Sequence, residues 1–208
     1  MESAPRPVLV VMARWWADGQ VKTRLAKGIG AEAAREVYRR MVEAAWSGFA
    51  DPGFVRHLHV TPTDATAEAG AWLPGADRVR GQVAGDLGAR MEAALSGAFA
   101  SGAPWAAVVG TDAPAVDAAM VLAAGGQLDD HDLAMVPSLD GGYALLAMRE
   151  QQPALFREVA WSTPEVAKVT RARAKAAGLR MAMLPPVRDL DDVADLEALR
   201  AEGLLPAL

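Results

Sequence analysis

Short continuous apolar runs recur along the chain and predict buried β-strands. The first run, "PVLVVMA" from Pro7 to Ala13, fits a strand that is buried on both faces, as strands of parallel sheets are. The segments "HLHVTP", "WAAVVGTD", "DLAMVPS", "GYALLAMR" and "RMAMLPPVRDLDD" predict further strands, the last of them followed by a loop.

Segments with a helical apolar stripe separate these runs. One covers residues 31–49, and a second runs from Asp86 to Ala100. Pro114 predicts the first turn of a third helix. A fourth starts at the signal "STPE" and stops at Gly178, and "VADLEALRAEG" is a closing helix. Strands that alternate with helices predict a three-layer α/β/α fold with a mainly parallel sheet and right-handed crossovers.

Composition adds limits to this picture. The 208 residues show no repeat and no linker, so one domain over residues 1–208 is expected. The absence of cysteine excludes disulfides and thiolate metal sites and fits a reducing cytoplasm. The N-terminal apolar run is too short for a signal peptide, and the longest uncharged stretch, residues 93–111, is interrupted by glycine and proline. A membrane span is not expected.

Charge points to one local feature. A formal net charge of −5 argues against general binding to nucleic acid or to an anionic membrane. The segment "GQVKTRLAKGIG" nevertheless places Lys22, Arg24 and Lys27 just after the first apolar run. This basic loop is either a solvated turn or an anion site, where lysine offers a point charge and arginine a fork for phosphate oxygens. Its sequence matches neither the Walker A motif nor G-x-G-x-x-G.

Aspartates follow two other predicted strands. Asp112 ends "VVGTD", where it could hold Mg²⁺, Mn²⁺ or a ribose, or could cap the helix after Pro114. In "DLDDVADL", Asp192 and Asp195 suit a helix N-terminus. Asp189 and Asp191 precede that helix and are better candidates for a ligand site. In open α/β sheets ligands bind at the carboxyl ends of strands, so these acids should lie near the basic loop.

Other features allow a structural and a functional interpretation. "DGGY", from Asp140 to Tyr143, is a tight turn or a close approach of the backbone to a ligand. His57 and His59 share a strand face, but no third metal ligand is in view. Trp161 is a core indole or a ligand contact. Exposed tryptophans would permit a homodimer.

Taken in order, six segments resemble a known family: "GQVKTRLA", "GDLGARM", "VVGTDAP", "DGGYALLAM", "FREVAWSTPEVAKVT" and "DLDDVADL". It is a bacterial family of unknown function, the DUF2064 type, usually described as glycosyltransferase-like within the GT-A superfamily. The family is similar to 2-phospho-L-lactate guanylyltransferase and, more distantly, to molybdenum-cofactor guanylyltransferase. The resemblance extends from Val8 to Leu199 and implies the nucleotide-diphospho-sugar transferase (GT-A, Rossmann-like) fold.

The resemblance also implies roles for single residues. In related nucleotidyltransferases the basic loop holds the triphosphate and two aspartates bind the metal, here Asp112 and Asp191 when the closing motif is aligned. The nucleotide-binding set implied is Arg14, Lys22, Arg24, Gly85, Asp86, Gly88 and Asp112, and the acceptor-binding set is Asp140, Gly141, Gly142, Tyr143 and Trp161. The chain departs from the family pattern at Trp16, where proline is usual, and at Ala113, where cysteine is usual. Whether Asp189 or Asp191 is the second metal ligand stays open.

Together these observations predict a metal-dependent, nucleotide-using transferase with Lys22, Arg24 and Asp112 as the catalytic residues. The first expectation is transfer of a sugar from a nucleoside-diphosphate sugar to a small acceptor, with Mg²⁺ or Mn²⁺ bound. The alternative is transfer of a nucleotidyl group, for example guanylyl, from a nucleoside triphosphate to a small phosphorylated acceptor, which releases pyrophosphate. A second alternative is a nucleotide-binding protein without catalysis. Nucleic acid and membrane are not expected partners.

Overall fold

A computed structural model describes residues 5–19, 21–51 and 53–205 of the chain. Gln20 of the basic loop and the first four residues of the N-terminus lie outside the described residues. The strands are β1 Val8–Arg14, β2 Val55–Thr61, β3 Arg78–Gly81, β4 Ala106–Gly110, β5 Leu133–Pro137, β6 Tyr143–Met148 and β7 Met181–Met183. The helices are α1 Thr23–Ile29, α2 Ala31–Gly48, α3 Thr66–Trp72, α4 Leu87–Ala100, α5 Ala118–Gln127, α6 Val166–Ala176 and α7 Val193–Ala201.

The strands form one seven-stranded sheet in the order β3-β2-β1-β4-β6-β5-β7. β6 is antiparallel to both of its neighbours, and the other described pairs are parallel. The chain builds outward from β1 to β3 and then returns to place β4 on the other side of β1. This reversal is the kind of switch point at which open α/β sheets bind ligands, because the loops after the two strands diverge and leave a crevice.

Two apolar cores cover the faces of the sheet. On one face, Leu9 and Val11 of β1 pack in a core with Met41 and Val42 of α2. On the other face, Val10 shares a core with residues of α4. The predicted burial of β1 on both faces is therefore confirmed, and so is the three-layer, mainly parallel fold. No helix among the described residues combines the length and apolar character needed to cross a membrane.

The helix predicted at Pro114 begins later than expected. α5 starts at Ala118, and its N-cap is Asp117, whose Oδ1 accepts a hydrogen bond of 2.9 Å from Met120 N. The residues between form a turn in which Val116 N donates to Ala113 O over 3.1 Å. Proline fits this turn as well as it fits a first helical turn, so the local signal was ambiguous. The N-cap interpretation of Asp112 is thereby wrong.

Candidate functional site

A cleft of about 690 Å³ opens at the carboxyl ends of β1 and β4. The loops after β1, β4, β5 and β7 and the first turns of α4 form its walls. Its charged lining consists of Arg14, Lys22, Arg24, Arg90, Asp112, Asp140, Asp189 and Asp191. The cleft therefore brings together cations and carboxylates that are far apart in the sequence.

Lys22 joins three segments at the floor of this cleft. Its side chain is only 6% exposed, its Nζ lies 2.6 Å from Asp112 Oδ1, and it also donates to the carbonyl oxygen of Leu190. The Lys22 backbone has φ 48° and ψ 48°, a left-handed conformation that costs a residue with a side chain about 1–2 kcal/mol. Such strain is often found at functional sites, where the surrounding structure compensates it.

Arg24 makes a second and looser ion pair. Its Nη1 lies 3.1 Å from Asp191 Oδ2, and the two side chains are 74% and 45% exposed. A pair this exposed contributes little to stability, so Arg24 can change partners at small cost. Lys27 lies in the last turn of α1, is exposed and does not line the cleft.

Asp189 is a half-buried acid of the cleft with a raised pKa. Burial, together with the negative charges of Asp140, Asp191 and Asp112, raises its pKa to about 6. Both Asp189 and Asp191, the alternatives that the sequence left open, line the cleft. Within the described part of the chain, no three acidic or histidine side chains are already gathered around one point. The set of carboxylate oxygens nevertheless fits Mg²⁺ or Mn²⁺, which prefer oxygen ligands and keep several waters.

The other two acids of the closing motif cap a helix. Asp192 Oδ1 accepts hydrogen bonds from Ala194 N at 2.9 Å and Asp195 N at 3.1 Å. Asp195 Oδ2 accepts in return from the backbone N–H groups of Asp191 and Asp192, which completes a capping box at the start of α7. The structural interpretation of Asp192 and Asp195 is confirmed. It leaves Asp189 and Asp191 as the acids that face the cleft.

Tyr38 and Gln82 are among the lining residues that the sequence analysis missed. The hydroxyl of Tyr38 accepts from Arg14 N over 3.0 Å and donates to Arg14 O over 3.1 Å, so α2 holds the end of β1 in place. Burial raises the pKa of Tyr38. Gln82 is 8% exposed, and its Nε2 donates to the carbonyl oxygens of Ala13 and His59. The sequence around Tyr38 is an ordinary helical stripe, so nothing in it indicated a site residue. Gln82 lies just before the "GDLG" motif, and this position was a signal that could have indicated it.

The "DGGY" segment forms a turn that lines the cleft. Asp140 Oδ1 accepts from Gly142 N over 2.9 Å and from the hydroxyl of Ser138. Gly141 has φ 93°, and a Cβ there would lie 2.1 Å from Pro164 O, so only glycine fits. Asp140, Gly142 and Tyr143 line the cleft, but Gly141 does not.

The "GDLGARM" segment meets the cleft through residues other than those predicted. Asp86 is the N-cap of α4 and accepts from Ala89 N over 2.8 Å. A Cβ on Gly88 would lie 2.7 Å from Trp161 Nε1, so the start of α4 packs against that indole. Trp161 lines the cleft, and its buried Nε1 has no hydrogen-bond partner among the described residues. The lining residues of this segment are Leu87, Arg90 and Met91. Nucleotide contacts of Gly85, Asp86 and Gly88 stay a prediction.

The fold and the position of the cleft define a class of protein. A solved structure from Desulfovibrio desulfuricans G20, named as a candidate nucleotide-diphospho-sugar transferase, superposes with a TM-score of 0.88. The two chains are 30% identical, and the match covers 94% of this chain and 86% of the other. A model of the bacterial family DUF2064, which is described as uncharacterized, matches residues 46–163. The chain belongs to this family, as the resemblance of its motifs predicted.

More distant structures share the fold alone. A nucleotidyl transferase from Methanothermobacter, Mth528, is 17% identical with a TM-score of 0.63, and the match covers 96% of this chain and 98% of that one. Rv0371c from Mycobacterium tuberculosis H37Rv, solved in complex with manganese, is 18% identical with a TM-score of 0.58 over 99% and 100% of the two chains. No protein of curated function matches the chain significantly.

Proposed function

We propose that this protein is a metal-dependent transferase whose cleft binds the phosphates of a nucleotide between the basic loop and the carboxylates. The observation that carries the proposal is the convergence of Lys22 with Asp112, and of Arg24 with Asp191, at the switch point of the sheet. Cations alone would make an anion site, and acids alone would make a cation site. Both together suit a metal–phosphate complex.

Asp112, Asp189 and Asp191 are the residues that would hold the metal. Their carboxylates line the cleft, and the pKa of Asp189 is raised first by its burial and then by the like charges around it. When bound, Mg²⁺ or Mn²⁺ supplies positive charge to the phosphate oxygens. Support for this metal class comes from Rv0371c, a protein of the same fold that was solved with manganese.

Lys22 and Arg24 would act directly on the phosphates. The Lys22 ammonium is held by Asp112 and the Leu190 carbonyl, which leaves one of its N–H donors for a phosphate oxygen. Because this charge is buried and fixed, it stabilises negative charge on a leaving diphosphate without reorganisation. Arg24 is exposed and can move from Asp191 to the phosphates as a bidentate fork.

The leading reaction is glycosyl transfer. An acceptor hydroxyl attacks the anomeric carbon of a nucleoside-diphosphate sugar, the bond from that carbon to the diphosphate oxygen breaks, and the hydroxyl proton is lost. The name of the 30% identical relative supports a sugar-nucleotide donor. Tyr143, Trp161, Asp140 and Gly142 line the cleft and would contact the acceptor. The nucleotide and a small acceptor are the proposed partners.

Nucleotidyl transfer is the second candidate, and the cationic loop favours it. Lys22 and Arg24 both stand on the segment that follows β1, and a triphosphate has more negative charge to neutralise than a diphosphate. In this reaction a phosphate oxygen of the acceptor attacks the α-phosphorus of a nucleoside triphosphate, and pyrophosphate leaves. Mth528, named as a nucleotidyl transferase, shares the fold.

One assay separates these reactions. The protein is incubated with Mn²⁺, a bacterial small-molecule extract as the acceptor source, and panels of nucleoside-diphosphate sugars or nucleoside triphosphates. Release of nucleoside diphosphate from the sugars supports glycosyl transfer, and release of pyrophosphate supports nucleotidyl transfer. Asp112→Asn should abolish either release, whereas Asp129→Asn, an exposed acid outside the cleft lining, should not.

Nucleotide binding is measured beside turnover as a thermal shift. Stabilisation by nucleotide that requires Mn²⁺ and Asp112 is expected of the proposed transferase. Equal stabilisation of Asp112→Asn and Asp191→Asn without metal would instead indicate a non-catalytic nucleotide-binding protein. The absence of any stabilisation, across all nucleotides tested, would contradict the proposal as a whole.

A further inference from the structure

Arg90 is a cation of the cleft that forms no ion pair within the described part of the chain. The other cleft cations each lie near a carboxylate: Arg14 at 3.7 Å from Asp18, Lys22 at 2.6 Å from Asp112, and Arg24 at 3.1 Å from Asp191. Arg90 lines the same cleft, but no carboxylate of the described residues forms an ion pair with it. Its charge is therefore available to a ligand.

One hydrogen bond anchors the guanidinium and leaves most of it free. Arg90 Nε donates to the carbonyl oxygen of Gly85 over 3.1 Å. A guanidinium has five N–H donors in a rigid plane, so the four on its two terminal nitrogens remain for other groups. Two parallel donors match the two oxygens of a carboxylate or a phosphate. The anchor thus fixes the plane of an anion-binding fork.

Two apolar residues of α4 line the cleft together with Arg90. Leu87, Arg90 and Met91 all line the cleft from the first turns of α4, and the Leu87 side chain is 44% exposed. Met91 Sδ lies 3.8 Å from the hydroxyl of Tyr143. This wall of the cleft therefore contacts Tyr143, one of the residues proposed to bind the acceptor. It belongs to a different element from the basic loop that would hold the nucleotide phosphates.

We propose that Arg90 binds an anionic group of the acceptor substrate, a carboxylate or a phosphate, while Leu87 and Met91 contact an apolar part of the same molecule. The acceptor is then an organic acid or a phosphate ester with a hydrocarbon or ring framework. The statement that the molecule bound at Arg90 is the acceptor rests on the proposed function, whereas the anion site at Arg90 does not. Arg90 is a specificity-determining residue in this assignment.

The experiment uses two anionic probes and one neutral one. Phenyl phosphate and benzoate carry the two candidate anions on an apolar ring, and benzyl alcohol carries none. Binding is followed by ligand-observed NMR on a Lys22→Met/Arg24→Met background, so that the basic loop does not compete for the anion. Comparison of the first two probes shows which anion the site prefers.

Three variants at two positions separate binding from structure. Arg90→Gln keeps a donor for the Gly85 carbonyl but removes the charge, and Arg90→Lys keeps the charge but loses the fork. Arg157→Gln is the matched control, because Arg157 pairs with Glu92 of α4 at 3.2 Å and lies outside the cleft lining. Arg90→Gln should weaken the binding of at least one anionic probe ~10-fold or more. Arg90→Lys should weaken it less, and Arg157→Gln should not change it.

Several results would overturn the assignment. The first is that neither anionic probe binds to the Lys22→Met/Arg24→Met protein. The second is that benzyl alcohol binds as tightly as the anionic probes. The third is that Arg90→Gln leaves the binding of the anionic probes unchanged. A loss of Mn²⁺–nucleotide binding in Arg90→Gln, with Lys22 and Arg24 intact, would place Arg90 in the nucleotide site instead. Failure of the proposed function has a different signature. In that case wild-type protein shows no nucleotide-dependent thermal shift, whereas the dependence of probe binding on Arg90 persists.

Discussion

Lys22 combines an unfavourable backbone conformation with a buried charge. A lysine gains nothing locally from φ 48°, and a solvated turn would not bury its side chain to 6%. The conformation is held because Nζ reaches both Asp112 and the Leu190 carbonyl. Of the two interpretations that the basic loop allowed at the level of sequence, the solvated turn therefore does not describe this residue.

Replacement of Lys22 by methionine should separate binding from folding. Methionine has a similar unbranched stem, so the packing is kept while the charge is lost. We expect nucleotide binding in the presence of Mn²⁺ to weaken about 10- to 100-fold, since hydrogen bonds to charged groups contribute about 1.5–3 kcal/mol. Titration calorimetry measures this affinity. Lys27→Met, from the exposed end of α1, is the control and should bind as the wild type does.

At the scale of elements, α4 shows how packing can oppose helix propensity. The helix contains two glycines that differ in their surroundings. A Cβ on Gly88 would lie 2.3 Å from the backbone oxygen of Phe156 and 2.7 Å from Trp161, whereas one on Gly97 would meet nothing within 4 Å. Alanine favours a helix over glycine by about 1 kcal/mol at either position. Only the neighbouring loop distinguishes the two sites.

The two glycine-to-alanine variants of α4 should consequently have opposite effects. Gly88→Ala should lower the free energy of unfolding by about 1–3 kcal/mol, because the backbone of Phe156 must move. Gly97→Ala should raise it by up to about 1 kcal/mol. Urea denaturation followed by circular dichroism measures both. If both variants changed the free energy of unfolding equally, the loop that contains Phe156 would be able to move away from residue 88 without destabilising the protein.

At the start of α7, two neighbouring aspartates have different roles: Asp192 caps the helix, and Asp191 is proposed to bind ligand. Asp192→Ala removes the N-cap and should lower the free energy of unfolding by about 1 kcal/mol, without weakening Mn²⁺–nucleotide binding. Asp191→Ala should weaken Mn²⁺–nucleotide binding and leave the free energy of unfolding nearly unchanged, since its carboxylate makes only an exposed ion pair with Arg24. Denaturation and calorimetry on both variants test this. The idea fails if Asp192→Ala is the variant that loses nucleotide.

At the scale of the whole molecule, strand order gathers the site. Lys22 and Leu190 are 168 residues apart in the chain, and Arg24 and Asp191 are 167 apart. They meet because β1 and β4 are neighbours and the segment before α7 returns to the same edge, where Leu190 N donates to Asp112 O over 2.9 Å. The site therefore forms only when the whole sheet is assembled.

Global stability should also depend on pH through His59, which lies beside β3 in register with Arg80. Burial, together with the charges of His57 and Arg80, lowers the pKa of His59 to about 4. His57 also has a lowered pKa, because of its own burial and the charges of Arg78 and Arg80, with Asp77 opposing. Above pH 6.5 His59 is neutral in both the folded and the unfolded chain. Below that value the unfolded chain takes up a proton first, so stability falls between about pH 6.5 and 4.

His59→Gln should reduce this acid sensitivity. The wild type should lose up to about 3 kcal/mol of unfolding free energy through His59 over this range, at about 1.4 kcal/mol per pH unit. His59→Gln should lose less unfolding free energy over the same pH range, because it lacks the histidine that takes up the proton. Urea denaturation at pH 8, 6, 5 and 4 gives the two curves. If the curves stay parallel from pH 8 to 4, His59 does not contribute to the acid sensitivity.

The fold was predictable where the periodic patterns were long. β1, α2 and α4 lie within a residue or two of their predicted bounds, because each has a strong burial pattern. The short elements α1, α3 and β3 were missed. Seven or fewer residues carry too little periodicity to stand out, and β3 is an edge strand with exposed arginines. The helix at Pro114 was misplaced because proline favours turns and first helical turns alike.

The sequence by itself determined the order and kind of the main elements, and it placed cations and acids after the strands that end at the cleft. It could do so because hydrophobic periodicity and strand-end chemistry are local properties. Only the tertiary structure decided that Lys22 pairs with Asp112, that Asp192 caps while Asp191 faces the cleft, and that Arg90 has no acidic partner among the described residues. These outcomes depend on contacts across the sheet and on backbone geometry, which a local pattern of residues does not encode.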